Sequence, residues 1–143
     1  MPILTNEMMR AIIMDHYSTP LHKHDPEKEG YQKIHMHSDN CIDDIDVYLL
    51  SENGVIKDAC FNGIGCTIST SSTDILCELI IDKSEQEALK IIEEYNHMLH
   101  EEPYDEELLE EANAFKNTSK QAARIRCATI GFRAVEEIIT KGK

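Results

Sequence analysis

The hydrophobic period of this chain changes once, near Cys66, and that change limits the folds open to it. Before it, Ile34 and Met36 alternate with His35 and His37, and Ile45, Val47 and Leu49 alternate with polar neighbours. Alternation of this kind marks half-buried strands. Glu52-Asn53-Gly54 supplies a hairpin turn into a run starting at Val55. Three antiparallel strands in a meander follow. After Cys66 the spacing is helical. Ile68, Ser72, Ile75, Leu76 and Leu79 share one face, and Ser84 with Glu87 makes a capping box for a helix burying Leu89, Ile92, Tyr95 and Leu99. Pro103 separates this helix from a short one expected over 105–115. A last helix is expected from near Ser119, burying Ile125, Ala128, Val135, Ile138 and Ile139.

An earlier helix, capped by Thr5 or Asn6, carries Met9, Ile12, Ile13 and Tyr17 and ends before Pro20, and residues 20–31 read as an exposed loop. Strands grouped before helices predict an α+β fold, a small antiparallel three-stranded sheet with helices packed on one side. At 143 residues the chain reads as a single domain, 1–143, able to bury roughly two-thirds of its unfolded surface.

A net charge of −13 argues against nucleic acid as a partner, since phosphate backbones call for Lys/Arg patches. No apolar run approaches a membrane span and no signal peptide is legible, so the expectation is a cytoplasmic protein without a membrane partner. The five cysteines, an odd number, form no paired framework, and in a reducing compartment they read as thiols or metal ligands.

Three of those cysteines suit a metal. Cys41 has Asp43 two residues on, Cys66 follows Gly63-Ile64-Gly65, and Cys127 closes Arg124-Ile125-Arg126-Cys127. Zn²⁺ accepts thiolates and a carboxylate in a four-coordinate site. Glycines at 63 and 65 let the backbone approach closely and deliver Cys66 near a helix start. A helix N-terminus and a bound cation both favour thiolate over thiol. Cys60, on a strand, and Cys77, beside Leu76 in mid-helix, read as small core residues. His35 and His37 offer competing imidazole donors, although a surface place on a half-exposed strand is the plainer reading. His16 reads as a packing or hydrogen-bonding residue at a helix end. Nine Asp or Glu fall between Ile91 and Phe115 with no Lys or Arg, a solvated acidic face or a steering patch for a basic partner.

These neighbourhoods carry a family resemblance. Ile13-Met14-Asp15-His16-Tyr17 with Pro20, Asn40-Cys41-Ile42-Asp43, the stretch 58–69 ending Gly63-Ile64-Gly65-Cys66-Thr67-Ile68-Ser69, and 123–129 around Cys127 resemble the SufU branch of the IscU/NifU-like iron–sulfur cluster assembly family. Sixty residues separate Cys66 and Cys127, including an insertion-like segment 104–120, and Arg126 stands where IscU-type scaffolds have histidine. Both features match SufU.

The resemblance implies a SufE/NifU-like, IscU-like fold in one NifU N-terminal-like domain, with Zn²⁺ held by Cys41, Asp43, Cys66 and Cys127. It implies a sulfurtransferase activity. Cys41 would accept persulfide sulfur from a SufS-like cysteine desulfurase once a partner histidine displaces it from zinc, Arg124 would assist, and downstream iron–sulfur assembly proteins would receive the sulfur. Two alternatives stay open: a scaffold assembling a transient [2Fe–2S] cluster on the same cysteines, or a non-catalytic desulfurase-binding homologue. The chain departs from the family pattern at Asn40 and Ala122, where prolines are usual, and at Ile42, where the family has glycine. A glycine with positive φ there would make Ile42 strained and could bring Asp44 into the site in place of Asp43.

Overall fold

A computed structural model describes residues 4–38 and 42–141. Helix α1 (Asn6–Ser18) is followed by strands β1 (Gln32–His37), β2 (Asp44–Glu52) and β3 (Val55–Ile64). Helices α2 (Thr67–Ile80), α3 (Glu85–Leu99) and α4 (Glu106–Leu109), a 3₁₀ segment (Glu110–Lys120) and α5 (Ala122–Lys141) come after. The strands form one antiparallel sheet in the order β1-β2-β3. The α+β meander and the grouping of helices after strands are as the hydrophobic period predicted.

The β2–β3 turn has φ of 55° at Asn53 and 78° at Gly54, the left-handed pair that suits the twist of a tight hairpin. Ile45, Val47 and Leu49 of β2 and Ala59 and Phe61 of β3 then fall on one face, and all are buried against the helices. A large apolar side chain so buried contributes about 1.5–3 kcal/mol. The chain from Pro20 does not simply loop through solvent. Lys23 bridges Phe61, and the Phe61 amide donates to the His22 carbonyl at 3.0 Å, so the segment extends the free edge of β3.

Helix α2 is the axis of the molecule. From Ser69 to Cys77 every residue is buried, including Ser71, Ser72, Thr73 and Asp74. One apolar face was the sequence expectation; instead α1, α5, β3 and the 3₁₀ segment enclose the helix. Its short hydroxyls remain compatible with burial because several bond back to the helix carbonyls, as Ser71 Oγ does to Thr67 O at 2.6 Å. Gly131 of α5 rests on Thr73, where a Cβ would come within 2.5 Å of Oγ1. Tyr95 of α3 stacks on Phe132 with centroids 3.7 Å apart and donates to the Ala128 carbonyl at 2.8 Å. Together these contacts set the rotation of α5.

Ser84 and Glu87 form the expected capping box of α3. The helix expected over 105–115 is shorter. It ends at Leu109, Glu110 turns to φ 43°, and the chain continues as 3₁₀ to Lys120. A three-residue repeat puts Ala112, Phe115 and Thr118 inward together, and Asn113 Nδ2 donates to the carbonyls of Glu106 and Glu110. The last helix therefore begins at Ala122, not near Ser119. Tyr17, expected on the buried face of α1, is exposed, while His16 is buried.

His16 places Nδ1 2.6 Å from Asp74 Oδ2 and Nε2 3.0 Å from Glu111 Oε1. Both ring nitrogens face carboxylate oxygens, so both bonds require the imidazolium. Burial alone would lower the pKa of His16, but the bonds and charges of Asp74 and Glu111 outweigh it and raise it above 6.5. A raised histidine pKa contributes stability that is fully present below the unfolded value and is lost as pH rises through the folded one. Denaturant midpoints of the wild type are expected to fall as pH climbs from neutral into the alkaline range, and those of His16→Gln to lose that slope. Equal slopes in the two proteins would show that the contact does not hold α1 to α2.

Candidate metal centre

Both strands of the hairpin end at one place. Asp44 pairs with Ile64, so Asp43, just before β2, lies beside Gly65 and Cys66, just after β3. Gly63 makes the approach possible with a φ of 125°, and a Cβ on it would come within 2.3 Å of the Asp44 carbonyl oxygen. A Cβ on Gly65 would meet Ser69 Oγ at 2.6 Å. Cys66 is the N-cap of α2, as the glycine turn implied, and its Sγ accepts from the Ser69 amide at 3.4 Å. Cys127 lies one turn before Gly131 on the α5 face that meets α2, and it is 8% exposed.

Asp43 is 1% exposed. Its Oδ1 accepts from the Cys66 amide at 3.0 Å and from Ser69 Oγ at 2.7 Å. Burial pushes its pKa up, yet the Ser69 hydroxyl, the Cys66 amide and the thiols of Cys127 and Cys66 together hold it below the ordinary value. Oδ2 is buried with no hydrogen-bond partner. Carboxylate oxygens buried in this way are rare unless something else satisfies them. One ligand atom each from Asp43, Cys66 and Cys127 lies within 4.8 Å of the other two. Two sulfurs and a carboxylate oxygen at that spacing fit a tetrahedral Zn²⁺, with bonds of about 2.0–2.3 Å, after a small contraction.

Cys41, expected as acceptor and fourth ligand, lies outside the described residues. The side chain of Ile42, beside it, is 64% exposed. Asp44 points elsewhere: its Oδ1 is 2.9 Å from His35 Nε2, and its side chain is largely exposed. His35 also meets Asp46, at 2.8 Å. Among the described residues, neither His35 nor His37 belongs to the convergent set.

Arg124 is exposed on the first turn of α5 and makes no side-chain hydrogen bond or ion pair among the described residues. The sequence reading passed over two residues. Ser69 holds Asp43 directly, and Arg133 lies half-buried further along α5. The Ser69 position was visible within the motif after Cys66, whereas nothing local marks Arg133. Cys60 and Cys77 are core residues, and burial first of all pushes the thiol of Cys60 up to about 12 and that of Cys77 well above its ordinary value. The acidic run is not wholly a solvated face. Glu94 is buried, accepts from the Asp105 amide at 2.8 Å and meets Lys90 and His97, while Glu111 binds His16.

A meander sheet backed by helices, with a carboxylate and thiols converging at one end, defines a small cysteine-bearing α+β domain. The family model of the NifU-like N terminal domain matches residues 8–129. A relative from Streptococcus pyogenes serotype M1, "Iron-sulfur cluster assembly scaffold protein IscU", is 30% identical over 95% of this chain and 85% of its own length. The "Zinc-dependent sulfurtransferase SufU" of Bacillus subtilis (strain 168) is 30% identical over 94% of this chain and 90% of its own. A crystal structure from Fervidobacterium islandicum AW-1, described as an iron–sulfur cluster assembly scaffold protein for the SUF system, superposes with a TM-score of 0.82 at 27% identity, covering 87% of this chain and 91% of that one. The chain belongs to the NifU-like N-terminal domain family and is an IscU/NifU-like member of the SufU type.

The Gly63 contact yields a direct test. Gly63→Ala is expected to cost about 1–3 kcal/mol, read as a lower urea midpoint. An unchanged midpoint would mean that the end of the hairpin tolerates a side chain there.

Proposed function

We propose that this protein acts as a single domain that accepts persulfide sulfur from a cysteine desulfurase and passes it to iron–sulfur cluster assembly, with Zn²⁺ held by Asp43, Cys66, Cys127 and Cys41. The observation that carries this reading is the buried Asp43 carboxylate, its Oδ2 unpartnered, within 4.8 Å of the Cys66 and Cys127 sulfurs. When bound, zinc neutralises gathered negative charge and brings no redox chemistry of its own. Asp43 is held in place by Ser69 and the Cys66 amide, so its free oxygen is presented without loss of side-chain freedom on binding. Cys66 caps α2 and Cys127 lies in the second turn of α5, two helices that are packed together, which limits their separation.

Cys41 stands two residues before Asp43, a span of at most about 7 Å, and is the nucleophile in this reading. Its thiolate attacks the outer sulfur of the desulfurase persulfide. The donor's S–S bond breaks, the desulfurase cysteine leaves as a thiolate, and a new S–S bond leaves the persulfide on Cys41. Sulfur changes carrier and no external oxidant or reductant is consumed. In this reading Arg124, exposed near the start of α5, assists by meeting the incoming anionic sulfur.

A second reading draws on the relatives named as scaffolds: the same thiolates would ligate a [2Fe–2S] cluster. Anaerobic purification separates the two. Sulfur transfer at a zinc site predicts colourless protein with one zinc per chain, and the scaffold predicts a brown protein with iron and sulfide. Asp43→Ala is expected to weaken zinc binding by at least the roughly 10–100-fold that loss of a supporting partner costs. With desulfurase and cysteine supplied, Cys41→Ala is expected to abolish stimulation of sulfide release. Undiminished stimulation by that variant would remove Cys41 as the acceptor.

A further inference from the structure

The ligand set invoked above is strongly anionic. Three thiolates and a carboxylate around a dication leave a surplus of two negative charges, and a surplus at a partly desolvated site is costly unless a cation offsets it. Arg124 and Arg126 are the arginines the sequence places beside Cys127, but both are exposed, and neither side chain is anchored among the described residues. Mobile arginines in water contribute little to a fixed field.

Arg133 is held differently. Its Nε donates to Thr129 Oγ1 at 3.2 Å, and Nη2 donates to the Arg126 carbonyl at 2.9 Å. That carbonyl belongs to the peptide bond leading into Cys127. Thr129 is itself buried and tied back to Ile125 O at 2.9 Å, so the guanidinium is braced by both sides of the Cys127 turn. No carboxylate pairs with it among the described residues. Burial and the Arg126 charge act against the Arg133 cation, while the charges of Cys127 and Asp43 act in its favour. The first two prevail and hold the Arg133 pKa below its ordinary value, so for this half-buried arginine, without an acid partner among the described residues, Cys127 and Asp43 supply a partial offset.

We propose that Arg133 is a positioning residue of this centre, a braced internal cation whose field stabilises the negative charge of Cys127 and Asp43. The inference rests on the metal-thiolate reading above for its purpose, although the charge effect exists in the metal-free chain as well. Because Arg133 contributes no ligand atom, its action is through charge, and a lysine should replace it better than any neutral residue.

The test uses the full chain with Arg133→Met, Arg133→Gln and Arg133→Lys. In metal-free protein, the rates at which Cys127 reacts with iodoacetate and with iodoacetamide are compared by peptide mass spectrometry. The ratio of anionic to neutral reagent reads local positive charge directly. It is expected to fall severalfold in R133M and R133Q and to stay near wild type in R133K. Zinc affinity, measured by competition with a chromogenic chelator, is expected to fall by about tenfold in the neutral variants and less in R133K.

Equal ratios in wild type and the neutral variants overturn the inference, and so do equal losses in R133K and R133Q, which would make the role one of packing. If R133M does not fold, the comparison of R133K with R133Q decides by itself. Wild-type protein that binds no zinc would end the reading it rests on, while the reagent ratio still judges Arg133.

Discussion

A carboxylate almost out of reach of water ties the start of β2 to the first turn of α2. Asp43 accepts from the Cys66 amide and from Ser69 Oγ, and the rest of the site is arranged around that junction. Losing either donor would take one of the two bonds from a buried charged acceptor, which costs on the order of 1.5–3 kcal/mol. The hairpin end, the helix start and the Cys127 turn of α5 are thus held as one unit, and a loosened junction would affect all three.

Helix α2 makes that rigidity possible. A helix enclosed on nearly every side has few ways to shift, since interiors are close-packed and a displaced helix leaves voids. Gly131 against Thr73 and the Tyr95–Phe132 stack fix α5 upon it. His16 fastens α1 to Asp74 at the centre of the same helix and reaches Glu111 of the 3₁₀ segment. The segment 104–120, which the resemblance singles out as an insertion, is therefore built into the core through Phe115 and Leu109, not appended to it.

The sequence made the site legible unevenly. Cys66 after its glycine turn, and Cys127 behind its arginines, stood in motifs whose local chemistry could be argued from neighbouring residues. The choice between Asp43 and Asp44 could not be made that way, because adjacent residues at a strand start point to opposite faces. Only the Asp44–Ile64 register settles that Asp43 turns inward and Asp44 out toward His35. Ser69 and Arg133 were missed because each acts across space on a residue that its own sequence neighbours do not identify.

What the sequence by itself determined is local: three alternating strands, an Asn53-Gly54 hairpin, the Ser84–Glu87 capping box and a run of helices after Cys66. Those features depend on neighbouring dihedrals and on periodicity, which a short window of residues contains. The tertiary structure alone decided that α2 is buried on nearly every side, that His16 is inside and Tyr17 outside, and that the segment after Leu109 winds as 3₁₀. It also decided that Arg133, not the arginines beside Cys127, is anchored. Each of those outcomes depends on contacts between residues far apart in the chain, whose energies appear only once the elements have packed.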